Sequence, residues 1–255
     1  MNQETVTGMV LSVMPIGDYD KRLVILTRER GKISAFAKGA RRTNSTLLAC
    51  SQPFAFGTFS LYQGRSSYSV NSAEIQNYFE ELRLDLEGAT YGMYFCEVAA
   101  YLTYENMEAG GILKLLYQSL RALCHKKIPN SLVRYIFEIK VMYLNGEGPQ
   151  VFQCVKCTKK PGKELELVGF SSSMGGMLCR DCCSLAKDLL YPSKTTVYTL
   201  RYIISSPIEK LFTFLLKEEY LEEMERISSQ YMACYAPGTF HSLEMLDILV
   251  KRVEK

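Results

Sequence analysis

The sequence of 255 residues lacks most of the features that identify an enzyme, a membrane protein or an exported protein. No apolar run approaches the ~20 residues that a membrane-spanning helix requires, and no basic stretch precedes an apolar one at the start. The two histidines, His125 and His241, are far apart and have no metal-ligand or nucleophile context. Phosphate-binding glycine loops, dinucleotide fingerprints and serine elbows are missing as well. We therefore expect a binding protein of the cytoplasm and not an enzyme.

Nine cysteines are present, an odd number that favours reduced thiols or metal ligands over a disulfide framework. Four of them form two CxxC pairs, Cys154 with Cys157 and Cys179 with Cys182, separated by 21 residues. Such a spacer lets both sulfurs of a pair reach one ion at about 2.3 Å, and four thiolates leave no open position for water. The pattern predicts one structural Zn²⁺ ion. Cys183 is an alternative to Cys182, and a metal-free knuckle held by its core is the alternative to the zinc site.

The first 80 residues have the alternation and punctuation of short β-strands. Gly31 and Gly64 stand between apolar runs, where hairpin loops need residues that tolerate a positive φ. Five strands in so short a segment predict a small closed barrel, and the five-stranded OB-fold is the natural candidate. The predicted strands cover residues 5–14, 22–27, 33–37, 54–63 and 67–75.

After residue 80 the apolar spacing becomes helical. We predict helices at 87–106, 112–127, 131–146 and 243–253, and a further one from the i, i+3, i+4, i+7, i+8 series Ile208, Leu211, Phe212, Leu215 and Leu216. The predicted fold is α+β and multidomain. An OB-fold barrel at 1–80 precedes a mainly α-helical domain at 81–255, into which a four-cysteine zinc-finger module is inserted at about 151–185.

Positive charge is concentrated in one early segment. Residues 21–42 contain eight cations and a single acid, Glu29, for a local charge of +7 in a chain whose net charge is +3. Cations beside aromatic side chains on a small barrel are typical of nucleic-acid binding, and a merely solubilising charge run is the alternative. Phe36 and Lys38 share one face of a predicted strand. Both registers fit the sequence, one with Phe36 outside beside Lys38 and one with Phe36 in the core.

Residues 23–65 resemble the N-terminal domain of the bacterial RecO family of recombination mediators, most closely in TRERGKISAFAKGARR (27–42). GGMLCRDC (175–182) resembles the second cysteine pair of that family. The loop at 13–23 departs from the family pattern, because family members tend to have a glutamate near the aspartate where Tyr19 stands here.

The resemblance implies a protein of DNA repair and recombination that binds single- and double-stranded DNA and anneals complementary strands without ATP. It implies that RecR is a partner in loading RecA onto DNA covered by single-strand-binding protein (SSB). The acidic, aromatic-ended tail of SSB would bind a basic-rimmed apolar groove in the helical domain, and the protein would associate with the nucleoid during repair. Two alternatives are a zinc-containing protein-interaction scaffold and an RNA-binding OB-fold protein. By carry-over the DNA-binding residues are Lys38, Arg41 and Arg42, with Arg22, Arg28, Arg30 and Lys32 as companions.

Overall fold

A computed structural model describes residues 3–65, 67–162 and 165–253, and in it the first five strands close into a barrel. The strand order around the barrel is β1-β2-β3-β5-β4, in which only the contact between β3 and β5 is parallel. This order confirms the predicted five-stranded OB-fold. The strands are β1 (Gln3–Ile16), β2 (Asp20–Thr27), β3 (Gly31–Ala37), β4 (Phe56–Gln63) and β5 (Tyr68–Asn77).

Alternation along β3 decides which side chains enter the barrel. Ile33, Ala35 and Ala37 are buried in its interior, so Phe36 and Lys38 face outward, and the outward register of Phe36 is the observed one. The turn before β3 needs Gly31, whose φ is 64°. A Cβ at this position would lie 2.3 Å from the backbone oxygen of Tyr104.

Seven helices follow in the described part of the chain. The predicted helix after residue 240 is confirmed: it begins with two hydrogen bonds from Ser242 to the Glu97 carboxylate, while Phe240 packs edge-on against Tyr94 and Tyr101. The helices are α1 (Glu80–Arg83), α2 (Leu86–Leu102), α3 (Gly110–His125), α4 (Asn130–Leu144), α5 (Lys194–Ser205), α6 (Glu218–Tyr235) and α7 (His241–Val253).

Contacts divide the chain into two compact units. The barrel unit consists of residues 1–125 and 240–255, and the cysteine unit consists of residues 126–239. α7 thus packs on α2 within the barrel unit. The division into domains at residue 80 stays a prediction. Among the described residues, no helix is both long and apolar enough to cross a membrane.

Buried polar groups join the helices of the cysteine unit. Lys140 of α4 donates from Nζ to the carbonyls of Ile204 and Ser206 at the end of α5, at 2.8 and 2.9 Å. Glu138 of α4 is 1% exposed and accepts hydrogen bonds from Arg134 and from Ser228 of α6. A small sheet in the order β7-β6-β8 completes this unit, with β6 at Leu167–Ser171, β7 at Gly176–Cys179 and β8 at Leu189–Leu190.

The helix predicted from the apolar series at 208–216 is wrong. Only Ile208–Lys210 forms a helical turn, of the 3-10 type, and the chain is irregular until α6 begins. The carbonyl of Lys210, which a continuing α-helix would use, accepts hydrogen bonds from the hydroxyls of Tyr202 and Thr213. Phe214 packs edge-on against Tyr202, at 5.4 Å between ring centroids, so side-chain contacts to α5 replace the helical pattern.

Candidate nucleic-acid interface and metal centre

The seven cations predicted to bind nucleic acid lie at opposite ends of the β2–β3 hairpin. Arg22 and Arg28 are six positions apart along an extended segment, which corresponds to about 20 Å. One group follows the β1–β2 turn and the end of β3, and we call it the basic cluster: Arg22, Lys38, Arg41 and Arg42. The other group lies at the β2–β3 turn: Arg28, Arg30 and Lys32.

The β1–β2 turn positions two members of the basic cluster. The backbone N–H of Arg41 donates to the carbonyl of Tyr19 at 2.9 Å, and its guanidinium Nη1 donates to the carbonyl of Gly17 at 2.9 Å. The guanidinium carbon of Arg42 lies 4.9 Å from the centroid of the Tyr19 ring, within the range of a cation–π contact. Tyr19 therefore serves here as a support for Arg42.

A second set of contacts shapes the chain between Lys38 and Arg41. Gly39 has a φ of 68°, and its N–H donates to Oδ1 of Asp20 at 2.7 Å. Lys38 is exposed and makes no hydrogen bond or ion pair within the described part of the chain. Arg22 is exposed on the neighbouring strand, where its Nε donates to the hydroxyl of Ser34 at 2.8 Å. The basic cluster is thus accessible to solvent, and short contacts hold its three arginines.

Two cations of the other group have partners inside the protein. Arg30 binds Glu4 through Nη2 at 2.8 Å and Nε at 3.1 Å, and the hydrogen bond and charge of Glu4 raise the pKa of Arg30. Lys32 donates from Nζ to the carbonyl of Ala100 in the last turn of α2, and burial lowers the pKa of Lys32. The charge of Arg30 is thus compensated by a carboxylate, and the charge of Lys32 lies at the negative C-terminal end of α2.

Arg28, the remaining cation, borders a groove of about 490 Å³ within the barrel unit. Its lining includes Phe56 of β4 and Tyr117 of α3, whose ring centroids are 4.6 Å apart. Lys114 and Glu108 are charged residues of its lining. Sequence reasoning did not locate this groove, because its residues come from four distant segments of the chain; the aromatic Tyr117 among the leucines of α3 was the available signal.

The four predicted metal ligands come together in the cysteine unit. The Sγ atoms of Cys154, Cys157, Cys179 and Cys182 all lie within 4.8 Å of one another, and Cys157 and Cys179 are 3.8 Å apart. Bonds of about 2.3 Å in tetrahedral geometry place sulfurs about 3.8 Å apart, so the cluster has the dimensions of a four-thiolate site. The donor set suits Zn²⁺, which prefers closed sulfur coordination in structural sites.

Backbone groups support the first cysteine pair. Burial favours the neutral thiol of Cys154, but hydrogen bonds from the N–H groups of Cys157, Cys179 and Lys156 outweigh it and lower the pKa of Cys154 to about 6. The carbonyl of Cys154 accepts from the N–H of Thr158, whose φ of 60° closes the turn. These N–H groups therefore stabilise the thiolate of Cys154, which is the form that binds metal.

Cys183 lies outside the metal cluster. Its side chain is 8% exposed and packs against Gly169 of β6. If residue 169 had a Cβ, that atom would lie only 2.7 Å from the sulfur of Cys183. Gly169 is therefore required for this contact, and the sulfur fills the interior beside the sheet. Cys182, with the same spacing as the first pair, is the member that joins the cluster.

Comparisons with known proteins cover nearly the whole chain. Residues 1–79 match the family model described as recombination protein O N terminal, and residues 83–244 match the one described as recombination protein O C terminal. The chain is 34% identical to the DNA repair protein RecO of Acetivibrio thermocellus over 98% of both chains. It is 32% identical to that of Alkaliphilus metalliredigens over 93% of this chain and 96% of the relative, and 31% identical to that of Symbiobacterium thermophilum over 96% of both.

Proposed function

Because the chain belongs to the recombination protein O family, whose relatives are DNA repair proteins, we propose that it is a non-catalytic recombination mediator that binds DNA through the basic cluster. In this proposal it binds single- and double-stranded DNA and anneals complementary strands without ATP. With RecR, it helps to load RecA onto single strands covered by SSB. It acts in the cytoplasm and joins the nucleoid during repair.

The observation that carries the DNA-binding proposal is the geometry of the basic cluster. Lys38 has no partner within the described residues, Arg42 is supported by Tyr19, and Arg41 is held by a backbone carbonyl. Side chains that are already oriented lose less conformational entropy when they bind phosphates. Three cations that contact phosphates release bound counterions from DNA, so the affinity depends on salt.

The test is a salt titration of single-strand binding by the triple variant Lys38→Ala, Arg41→Ala, Arg42→Ala. We expect the slope of log affinity against log salt to become shallower by about 2, since each neutralised phosphate contributes about 0.7 for single strands. A control variant that replaces Lys187, Lys210 and Lys217, exposed lysines of the cysteine unit, removes the same charge and keeps the slope. An unchanged slope in the basic-cluster variant would refute the assignment.

We further propose that the SSB tail binds the groove beside α3. The rings of Phe56 and Tyr117 in its lining fit a terminal aromatic side chain, and Arg28 and Lys114 fit the carboxylates of an acidic tail. A labelled peptide with the SSB-tail sequence should bind more weakly to Tyr117→Ala than to the parent. The control is Tyr198→Ala, which removes a tyrosine that is 69% exposed in the cysteine unit. Equal affinity of the two variants would place the tail elsewhere.

For the metal centre we propose a single structural Zn²⁺ held by Cys154, Cys157, Cys179 and Cys182. The separations of the four sulfurs support this proposal. When bound, the ion would link the first cysteine pair to the end of β7 and so stabilise the cysteine unit. Elemental analysis of the purified protein should give about one zinc per chain.

Two other functions give different experimental results. A protein-interaction scaffold would show no DNA shift at low salt and would bind its partner with little dependence on salt. An RNA-binding protein would prefer RNA to DNA of the same sequence. The family assignment and the DNA repair relatives favour the mediator over both.

A further inference from the structure

A row of outward-facing side chains crosses the barrel beside the basic cluster. On β1, β2 and β3, strand pairing sets Met14 opposite Arg22 and Arg22 opposite Phe36. The row continues across β5 and β4, where Phe36 lies beside Ser69 and Ser69 lies opposite Tyr62. Met14 is 60% exposed, Arg22 is exposed, and the other three are half-buried. We call these five residues the outer row.

Among the described residues, the outer row has an acid only on its side toward the β1–β2 turn, where Asp20 is paired with Ile16 and accepts from the N–H of Gly39. The neighbouring row toward the middle of the strands consists of Ser12, Val24 and Ser34, which are paired in the same way. Neither row has an aspartate or glutamate, so an approaching phosphate meets no repulsion from these side chains. A surface of aromatic, small and cationic residues without acids suits a nucleic-acid strand better than a protein partner.

The position of Arg22 separates it from the rest of the basic cluster. Its hydrogen bond to Ser34 holds the guanidinium along the barrel surface, directed from β2 toward β3. A planar guanidinium in that position can stack on a base, as an aromatic ring can. The four remaining members of the outer row carry no charge, so the row offers stacking surfaces while Lys38, Arg41 and Arg42 offer charges.

We propose that the outer row, through Phe36, Tyr62 and Arg22, contacts the bases of single-stranded DNA and gives this surface its preference for single strands over duplex. This inference rests on the proposed DNA-binding function and assigns a second task at the same site. Adjacent strands lie about 4.8 Å apart, so Phe36 and Tyr62, separated by β5, are about 10 Å apart. That distance leaves space for a base on each ring, since bases in a strand are spaced about 3.4 Å apart.

The physical reason for the preference is access to the faces of the bases. In a duplex the faces are covered by neighbouring base pairs, whereas an unpaired strand can place them on aromatic side chains. Phosphates are available in both forms of DNA. Contacts of the outer row therefore add affinity for single strands alone, while the cations of the cluster add affinity for both.

The first test compares the binding of a single strand and of its duplex to Phe36→Leu with Tyr62→Leu. We expect single-strand affinity to fall by at least about fivefold and duplex affinity to stay within about twofold, with an unchanged salt slope. Leucine keeps an apolar side chain at both positions, and a thermal melt checks that the barrel is folded. An equal loss for both DNA forms would overturn the proposal, and so would no loss for either.

A second test uses the absence of tryptophan from the chain. Phe36→Trp creates the sole indole, and stacking of a base on it should quench its fluorescence when a single strand is added, but not when a duplex is added. The control is Tyr104→Trp, a residue 66% exposed beside Gly31 at the other end of β3. Quenching of both indoles, or of neither, contradicts the assignment.

The outcomes distinguish this inference from the function on which it rests. If the basic-cluster variant loses salt dependence while the outer-row variant binds both DNA forms normally, the DNA-binding function stands and the base contacts do not. If the basic-cluster variant binds as the parent does, the assignment of DNA binding to the basic cluster is wrong.

Discussion

Replacing Lys32 and Lys38 by methionine, one at a time, compares two cations of one strand segment in different environments. Lys38 is exposed, whereas Lys32 is half-buried and donates to the carbonyl of Ala100 at the end of α2. A hydrogen bond from a charged donor contributes about 1.5–3 kcal/mol, and partial exposure of Lys32 reduces this to about 1–2 kcal/mol. We therefore expect Lys32→Met to lower the free energy of unfolding by that amount, and Lys38→Met to leave it unchanged within about 0.5 kcal/mol.

The effects on DNA binding should be the reverse. Lys38→Met removes one phosphate contact, so the salt slope for single strands becomes shallower by about 0.7, and the affinity ratio of parent to variant shrinks about 2.6-fold between 50 and 200 mM salt. Lys32→Met should keep the parent slope. Urea denaturation measures the stabilities, and anisotropy of a labelled oligonucleotide at four salt concentrations measures the slopes. If Lys32→Met lowers the slope as much as Lys38→Met does, the separation of the cations into two groups is wrong.

Three further predictions concern stability and the metal. Cys154→Ser should lower the zinc content well below one ion per chain and reduce the melting temperature, whereas Cys183→Ser should keep about one ion, as measured by elemental analysis and a thermal melt. Gly57→Ala should destabilise the barrel by about 2–3 kcal/mol in urea, because a Cβ there would lie 2.1 Å from a carbonyl oxygen of β5; a loss under 0.5 kcal/mol would contradict this contact. Glu138→Ala should cost about 3 kcal/mol or more in urea, because it removes one partner of a buried ion pair; a loss under about 1 kcal/mol would contradict this.

Local periodicity made the barrel and the cysteine cluster predictable. Alternation of Ile33, Ala35 and Ala37 with outward residues has a period of two, which a short window of sequence reveals. A two-residue spacer in each cysteine pair likewise constrains both sulfurs without reference to the rest of the chain. Features that are decided within a few residues were therefore accessible from the sequence.

Long-range partners explain what the sequence did not reveal about the charges. Arg30 and Lys32 looked like members of one basic run, but their partners Glu4 and Ala100 are 26 and 68 residues away. A count of local charge therefore overstated the number of cations that face solvent together. The register of Phe36 was open for a related reason, since both faces of its strand carry residues that a core accepts.

Two segments of the cysteine unit show why apolar periodicity did not predict its helices correctly. The apolar spacing at 208–216 satisfied a helical template, but hydroxyl groups took the carbonyl that the helix needed. Conversely, α5 was not predicted as a helix, because it is rich in β-branched residues, which lower helix propensity. Its N-cap was readable, since Ser193 accepts from the N–H of Thr196 three residues later.

The return of α7 to α2 affects the order in which the protein can fold during synthesis. The barrel strands and α2 leave the ribosome first, yet the helix that covers α2 follows the 114 residues of the cysteine unit. At about 5–20 residues per second, α2 waits about 6–23 s for α7. During that interval the apolar side chains that later pack on α7 face water, including Tyr94, which is fully buried in the finished protein and touches the ring of Phe240. The length of the cysteine unit, which is inserted between the two parts of the barrel unit, therefore sets how long the barrel unit stays incomplete during synthesis.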